Sequence, residues 1–186
     1  GIHYGKGDET LKDTAKVLTE YVDIVMLRTA SHKNLEEFGK HLGIPIINGL
    51  SDQSHPCQVM SDILTFEEIK GGIENKTISW LGDGNNMCHS YINAAKQFDF
   101  ELTICCPSEY KPDDTLLEKN KERVQLIGDP NDAIANADLV VTDVWASMGQ
   151  EDEVNNRKRK FQRYQLNKPL LSYASSEVLY LHCLPA

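Results

Sequence analysis

Short apolar runs alternate with helical patterns along most of this chain, and that alternation constrains the fold more than any other feature. Each run has the length of a buried β-strand, and most are followed by apolar residues at helical spacing. Successive strands joined through helices pair in parallel, with the helices covering the sheet. We therefore predict an α/β fold with parallel sheets covered on both faces. The predicted strands are 24–27, 44–47, 77–81, 101–106, 124–127, 139–142 and 178–182.

The helical patterns are bounded by residues that commonly begin or end helices. Ser31 is a candidate N-cap, Gly43 is a candidate stop, and Pro56 suits the first turn of a long helix. The Lys70-Gly71-Gly72 segment is the best candidate for a domain boundary, which gives domains 1–70 and 71–186. The predicted helices are 11–22, 32–42, 56–69, 88–98, 113–123 and 151–160, with a short helical entry at 129–131.

The stretch from Trp80 to Ser90 predicts a strand, a tight loop and a helix start. Gly82 and Gly84 allow a close approach of the backbone, while Asp83, Asn85 and Asn86 bring polar groups to the end of the strand. Ligands bind at this edge of open parallel sheets. The third glycine of a dinucleotide-binding fingerprint is missing, since Met87 stands there, so the pattern does not favour a dehydrogenase.

The net charge indicates which classes of ligand to expect, and the cysteines indicate the redox compartment. The formal net charge of −9 argues against nucleic acid, and no apolar run approaches the roughly 18 residues of a membrane span. Five cysteines, two of them adjacent and none in a C-x-x-C pair, do not suggest a disulfide framework. We expect a reducing compartment, the cytoplasm, or the mitochondrion if a transit peptide was removed. A small-molecule or protein ligand is expected.

The candidate site residues each follow an apolar run, so we expect a parallel arrangement to bring them to one edge of two sheets. They are Arg28, His55, the 83–86 loop, the 143–148 segment and Cys183. Taken singly, each has an ordinary structural explanation: Arg28 as an ion-pair partner, His55 as a cap and Cys183 as a buried thiol. The basic run 157–160 is interpreted as the exposed face of a solvated helix.

Together these groups suit one kind of chemistry. An arginine, a histidine and a helix N-terminus that carries Gln58 can bind a phosphate and polarise a neighbouring carbonyl. An aspartate with amide groups suits an amino acid, and a thiolate beside that carboxylate can orient or deprotonate an attacking amine. The residues themselves therefore predict transfer from an acyl phosphate to an amine. Zinc is not favoured, because His55, Cys57, His182 and Cys183 lack the usual ligand spacing.

Four motifs in sequence order resemble the aspartate/ornithine carbamoyltransferase family, and ornithine carbamoyltransferases in particular. They are His55-Pro56-Cys57-Gln58, the Trp80–Asn86 stretch, the Asp143–Gly149 stretch and His182-Cys183-Leu184-Pro185. The resemblance implies two Rossmann-like αβα domains. Residues 1–70 would be the C-terminal part of the carbamoyl-phosphate domain, with a bridging helix at about 56–69, and residues 71–186 would be the ornithine domain without its closing helices.

The resemblance also implies roles for individual residues. Carbamoyl phosphate would be held by Arg28, His55, Gln58, Cys183 and Leu184, the last through its backbone carbonyl. Ornithine would be held by Asn86, Asp143, Ser147 and Met148. The catalytic groups would be Cys183, Asp143, His55 and Arg28. No cofactor and no metal would be needed, and the product would be L-citrulline in arginine metabolism.

The same resemblance leaves several questions open. The family's Ser-Thr-Arg-Thr-Arg phosphate loop is absent from these residues, so we expect the chain alone to show little turnover. A transcarbamylase that uses putrescine or aspartate is the nearest alternative, and a non-catalytic amino-acid-binding paralogue is the alternative of another class. A homotrimer is implied for the full-length protein. The sequence does not decide between an anabolic and a catabolic role.

Overall fold

Parallel sheets form in both parts of the chain, which confirms the predicted α/β class. The computed structural model describes residues 9–145 and 154–184. Its backbone contacts divide the chain into two units, Gly1–Cys57 and Gln58–Ala186. Among the described helices, none combines the length and the apolar character needed to cross a bilayer.

From residue 9 onward, the first unit contains a two-stranded parallel sheet and the two helices α1 and α2. Its sheet pairs β1 with β2, with Val25 opposite Ile46. Side chains of Thr10 and Ser31 cap the two helices by accepting backbone N–H bonds in their first turns. The elements are α1 (Leu11–Thr19), β1 (Val25–Arg28), α2 (His32–His41) and β2 (Ile46–Leu50).

Strand β2 lies further along the chain than the apolar run predicts. Pro45 has no backbone N–H, and its carbonyl only accepts a bond from Val25. Beyond the apolar run, the backbone pairing with β1 continues through Asn48 and Gly49 to Leu50. Leu50 pairs with Arg28. The predicted strand end at residue 47 was wrong, because backbone pairing at 48–50 does not depend on apolar side chains.

The second unit is built on a five-stranded, wholly parallel sheet in the order β5-β4-β3-β6-β7. Its helices are α3 (Pro56–Lys70), α4 (Asn86–Gln97), α5 (Asp114–Lys119), α6 (Pro130–Ile134), α7 (Val154–Phe161) and α8 (Lys168–Leu171). Its strands are β3 (Thr77–Leu81), β4 (Glu101–Cys105), β5 (Val124–Leu126), β6 (Leu139–Thr142) and β7 (Leu179–His182).

Strand β3 shows how both faces of this sheet are covered. Ile78 and Trp80 point into a core formed with α3 and α4, and Leu81 points into a second core formed with α6 and α8. Ser79 lies on the second face and donates its hydroxyl to the Ala133 carbonyl at 2.6 Å. All three hydrophobic side chains are fully buried. The prediction of helices on both faces is confirmed.

Helix α3 packs with the second unit. Val59, Ile63 and Phe66 are all buried and join the core that contains Trp80. The contacts therefore divide the chain at 57–58, earlier than the glycine pair at 71–72 that the sequence suggests. A bridging role for this helix stays a prediction.

The strand order creates a topological switch point beside β3. The chain runs from β3 outward to β4 and β5 and then returns to the other side of β3 as β6 and β7. In such sheets the crevice at the carboxyl ends of the two central strands is the usual ligand site. Here those ends are Leu81 and Thr142, which pair in register. The candidate residues at 82–86 and at 143 follow them directly.

Candidate active site

Asp143 and Cys183 are brought together by the register of two neighbouring strands. Thr142 pairs with His182 at the ends of β6 and β7, so the next residue of each strand lies beside the other. The Cys183 thiol donates a hydrogen bond to Asp143 Oδ1. The predicted pairing of a thiol with this carboxylate is present.

Three donors fix the Asp143 carboxylate. Oδ1 also accepts the Val144 backbone N–H at 2.7 Å, and Oδ2 accepts the Asn85 side-chain amide at 2.8 Å. Asn85 is in turn the N-cap of α4, since its Oδ1 accepts the backbone N–H groups of Met87 and Cys88. One amide side chain therefore connects a helix N-terminus to the candidate catalytic carboxylate. The carboxylate is 8% exposed and borders a surface cavity of about 610 Å³.

The Cys183 thiol is held in its neutral form. Burial, followed by the hydrogen bond to Asp143 and the charge of Asp143, raises the pKa of Cys183 to about 12. A thiol with such a pKa is protonated at neutral pH and acts as a donor. The sequence interpretation allows a thiolate here, whereas burial and the negative charge of Asp143 both oppose ionisation of the sulfur.

Asp83 has a structural role, because it is the partner of a buried arginine. Its carboxylate forms a buried ion pair with Arg157, which is 3% exposed. The Arg157 guanidinium also donates to the Trp145 carbonyl and lies 4.4 Å from the ring centroid of Tyr110. The interpretation of 157–160 as a wholly solvated face was wrong at Arg157, since this side chain balances a buried carboxylate on the loop after β3.

Gly84 is required by a close approach of two loops. Its backbone N–H donates to the Tyr110 carbonyl at 2.8 Å. A Cβ atom here would lie within 2.6 Å of the backbone of Lys111, which no substitution can accommodate without a shift. The loop before α4 is thereby fixed against the 107–113 segment, and with it the N-cap Asn85.

Gln58 and Asp62 form a second polar group, one helical turn apart on α3. Gln58 Nε2 donates to Asp62 Oδ1 at 2.9 Å, and Tyr91 donates its hydroxyl to Asp62 Oδ2 at 2.8 Å. Burial raises the pKa of Asp62, and the negative charge of Asp143 raises it further. Asp62 also contributes to the raised pKa of Cys183, so the two polar groups lie within electrostatic range of one another.

In the first unit, Arg28 ends β1 with an exposed guanidinium. Among residues 9–145 and 154–184, no side-chain hydrogen bond or ion pair involves Arg28. A positive charge at the carboxyl end of a parallel strand, without a carboxylate partner among these residues, is available to an anion.

His55 is held at the start of α3 by a short polar loop. Ser51 is fully buried, and its backbone N–H donates to the Ser54 carbonyl at 2.8 Å. Asn48 donates its side-chain amide to the Ser54 hydroxyl at 2.9 Å. These bonds anchor the loop to the end of β2 and fix the chain entering Pro56. His55 is half-buried at this position.

Family comparisons match both parts of the chain. Residues 74–186 match the aspartate/ornithine carbamoyltransferase Asp/Orn-binding domain, and residues 2–68 match the carbamoyl-P-binding domain of the same proteins. The chain belongs to the aspartate/ornithine carbamoyltransferase family.

Individual relatives agree with this assignment. The chain is 53% identical over 182 residues to an ornithine carbamoyltransferase of Chromohalobacter salexigens, covering 98% of this chain and 59% of that protein. It is 50% identical to an anabolic ornithine carbamoyltransferase of Pseudomonas aeruginosa, covering 98% and 59%. The chain thus spans about 60% of the length of these relatives.

Solved structures give the same result. The Pyrococcus furiosus ornithine carbamoyltransferase is similar with a TM-score of 0.91 and 40% identity, covering 97% of this chain and 60% of that one. The anabolic enzyme of Campylobacter jejuni has a TM-score of 0.92 and 34% identity, covering 100% and 63%.

Within this family, the structure locates most of the predicted site residues. Asp143 and Cys183 are in contact, and Asn86 is the first residue of α4, next to the cap that binds Asp143. Leu184 is 88% exposed directly after Cys183. Ser147 and Met148 lie outside the described residues. The roles carried over to all of these residues, and to Arg28, His55 and Gln58, stay predictions.

Three residues of the polar network were missed by the sequence interpretation. Asn85 has a signal in the sequence, because an Asn directly before a helical pattern is a standard N-cap. Asp62 lies four residues after Gln58, which is the spacing at which Gln and Asp bond along a helix. Tyr91 gives no such signal, because its partner is 29 residues away. Among the described residues, no group of three or more potential metal ligands occurs.

Proposed function

We propose that the protein containing this chain transfers the carbamoyl group of carbamoyl phosphate to the δ-amine of L-ornithine, giving L-citrulline and phosphate. The observation that carries this proposal is the Asp143–Cys183 pair at the switch point of the sheet, in a chain of the carbamoyltransferase family. We assign the reaction to arginine biosynthesis, because a relative with 50% identity is named as an anabolic ornithine carbamoyltransferase.

The acceptor amine is bound by the second unit. Asp143 carries a preorganised negative charge, with Asn85 and the Val144 N–H holding its orientation. An ammonium group has only donors, so it binds beside this carboxylate. Asn86, Ser147 and Met148 complete the ornithine site in this proposal.

The amine must lose a proton before its nitrogen lone pair can attack the carbonyl carbon. The Cys183 thiol already holds a proton at neutral pH, because its pKa is raised to about 12, so it is not available to accept one from the amine. We therefore assign proton acceptance to the Asp143 carboxylate and a positioning role to the thiol. As the new C–N bond forms, the C–O bond to phosphate breaks and its electron pair leaves with the phosphate.

Carbamoyl phosphate is bound by the positive charge of Arg28 and by hydrogen-bonding groups in this proposal. Arg28 supplies a guanidinium that attracts phosphate and polarises the carbonyl oxygen, which stabilises the developing negative charge. His55 acts on the same oxygen, Gln58 binds the carbamoyl NH₂, and the Leu184 carbonyl accepts from the same nitrogen. No cofactor or metal takes part in this proposal.

We propose that the whole protein is a homotrimer. It is located in the cytoplasm or, if a transit peptide was removed, in the mitochondrion. Neither nucleic acid nor membrane is a partner in this proposal, in keeping with the net charge of −9.

The test uses a completed protein in which this chain replaces the matching 182 residues of the Chromohalobacter salexigens relative. Citrulline formation from carbamoyl phosphate and ornithine is measured, with putrescine and aspartate as competing acceptors. We expect ornithine to be preferred, and Cys183→Ser to lower kcat while leaving ornithine affinity nearly unchanged. Preference for putrescine or aspartate would assign the protein to another transcarbamylase. Tight ornithine binding without turnover would indicate a binding protein.

The 186 residues tested alone provide a second result. We expect little citrulline, because no Ser-Thr-Arg-Thr-Arg phosphate loop is among them and the main phosphate contacts would be missing. Robust turnover by the isolated chain would contradict that assignment of the phosphate site.

A further inference from the structure

Asp62 is a half-buried carboxylate that has no assigned role, although both of its oxygens are engaged. Oδ1 accepts the Gln58 amide at 2.9 Å and Oδ2 accepts the Tyr91 hydroxyl at 2.8 Å. Two accepted bonds, one on each oxygen, are the pattern of an ionised carboxylate, which has no proton to donate. The side chain therefore holds two donors from two different helices, α3 and α4.

Tyr91 is a rigid partner for this carboxylate. Its side chain is fully buried, and its ring lies 5.6 Å from the ring of Trp80, centroid to centroid. Burial raises the pKa of Tyr91, so its hydroxyl keeps the proton that it donates to Asp62. Because one oxygen of Asp62 is fixed to the core in this way, the position of the other oxygen is fixed as well.

The orientation of the Gln58 amide follows from this arrangement. An amide side chain has an NH₂ end that donates and an oxygen that accepts. The NH₂ end is turned to Asp62, because a carboxylate cannot satisfy the amide oxygen. The group that Gln58 then offers to a ligand is its oxygen Oε1, which is an acceptor.

An acceptor at this position distinguishes two otherwise similar donors. A carbamoyl group carries an NH₂ that can donate to Oε1, whereas an acetyl group of nearly the same shape carries a methyl that cannot. A site built to hydrogen-bond a substrate NH rejects the analogue that lacks it, since the polar group of the protein is then left unsatisfied.

We propose that Asp62 is a positioning residue that turns the acceptor oxygen of Gln58 toward the donor substrate and so selects a carbamoyl group over an acyl group without N–H. This inference rests on the proposed function, in which Gln58 binds the carbamoyl NH₂. Asp62 touches neither substrate and acts through Gln58.

The experiment uses the completed protein and two phosphates, carbamoyl phosphate as substrate and acetyl phosphate as competitive inhibitor. The quantity measured is the Ki for acetyl phosphate divided by the KM for carbamoyl phosphate. This ratio does not depend on the fraction of folded protein, because both constants come from the same active molecules. Asp62→Leu is expected to lower the ratio about tenfold by raising the KM for carbamoyl phosphate, with the KM for ornithine unchanged.

Three matched variants separate positioning from a general structural effect. Asp62→Asn keeps an oxygen that can accept from Gln58, so the ratio should return to within about twofold of the parent value. Glu68→Leu removes an acidic group from the exposed face of the same helix and should leave the ratio unchanged. Gln58→Ala should lower the ratio by itself, and adding Asp62→Leu to it should have no further effect on the ratio.

Each outcome decides the inference. An unchanged ratio in Asp62→Leu, or a further loss when Asp62→Leu is added to Gln58→Ala, would overturn the positioning role while leaving the proposed function intact. Absence of citrulline from the parent protein would overturn the proposed function, and with it this inference. The predicted pattern is loss in Asp62→Leu, recovery in Asp62→Asn and no additivity with Gln58→Ala.

Discussion

The two units differ in the size of the hydrophobic core that supports their candidate site residues. In the second unit, a five-stranded sheet is covered on both faces, with Trp80, Tyr91 and Phe66 among its fully buried side chains. In the first, the described residues contain a two-stranded sheet and bury only the hydrophobic side chains of Ala15, Leu35 and Phe38. Its exposed large hydrophobics are Val17, Tyr21, Val22, Ile24, Met26 and Ile47.

The candidate site residues of the two units differ in the same way, in burial and in the number of contacts that hold them. Asp143 in the second unit is buried and held by three donors, so its charge is preorganised before any ligand arrives. Arg28 in the first unit is exposed at the end of a short strand. The comparison indicates that Asp143 is fixed by the core of its own unit, whereas Arg28 depends on less local packing.

A matched pair of phenylalanines tests this difference most strongly. Phe66 and Phe38 are each 1% exposed, in the second and first units respectively. Phe66→Ala should lower the free energy of unfolding by about 3–5 kcal/mol, because the large core around it cannot collapse fully into the cavity. Phe38→Ala should lower the free energy of unfolding by less than Phe66→Ala does, because a small core relaxes more easily. Urea unfolding measures both values, and equal losses would remove the distinction between the two cores.

Arg157 provides the next largest effect. Arg157→Met should destabilise the second unit by about 3 kcal/mol, because Asp83 would be left as a buried charge without its guanidinium partner. Arg159→Met, on the exposed face of the same helix, is the control and should change stability by less than about 0.5 kcal/mol. Unfolding followed by tryptophan fluorescence would detect the difference, and similar values for the two variants would mean that the ion pair is not structural.

Asn85 connects stability with the site. Asn85→Ala removes the cap of α4 and should cost about 1 kcal/mol of stability. It also removes a donor to Asp143, so kcat of the completed protein should fall about tenfold. Asn131→Ala, which changes an exposed Asn at the start of α6, is the control. A loss of stability without any loss of kcat would separate the cap from the site.

The smallest expected effect is a pH dependence at Asp62. Its pKa is raised in the folded protein, chiefly by burial, so the folded state holds the proton more tightly than the unfolded chain. The resulting stabilisation is fully present below the ordinary aspartate pKa of about 3.9 and is lost as the pH rises through the raised value. Asp62→Asn should remove this part of the pH profile in urea unfolding. A wild-type profile parallel to that of the variant would contradict the raised pKa.

Strands were the part of the fold that the sequence predicted best. The bounds of β3 and β6 agree with the predicted 77–81 and 139–142, because continuous apolar runs between polar residues leave little choice of register. The helix α8 at Lys168–Leu171 was not predicted, since four residues give no periodic pattern. The N-cap at Ser31 was predicted correctly, because a cap is a local signal.

The parts of the site that were not predicted depend on distant residues. The basic residues beside Arg157 favour the prediction of an exposed side chain. Its buried partner, Asp83, is 74 residues away in the sequence and gives no local signal. The protonation state of Cys183 depends on burial and on Asp143, 40 residues away. A sequence shows which residue types are present, but the electrostatic environment of a thiol exists only after the sheet has formed.

The central claim is that the second unit holds Asp143 against Cys183 and that burial and the charge of Asp143 keep Cys183 as a neutral thiol. Iodoacetamide alkylation of Cys183, followed by peptide mass spectrometry from neutral to about pH 10, tests it because only the thiolate reacts. The wild-type rate should rise about tenfold per pH unit without a plateau, in keeping with a pKa raised to about 12. Asp143→Asn should react faster at each pH, because the opposing charge is gone. A plateau near the ordinary thiol pKa of about 8.5 in both proteins would contradict the claim.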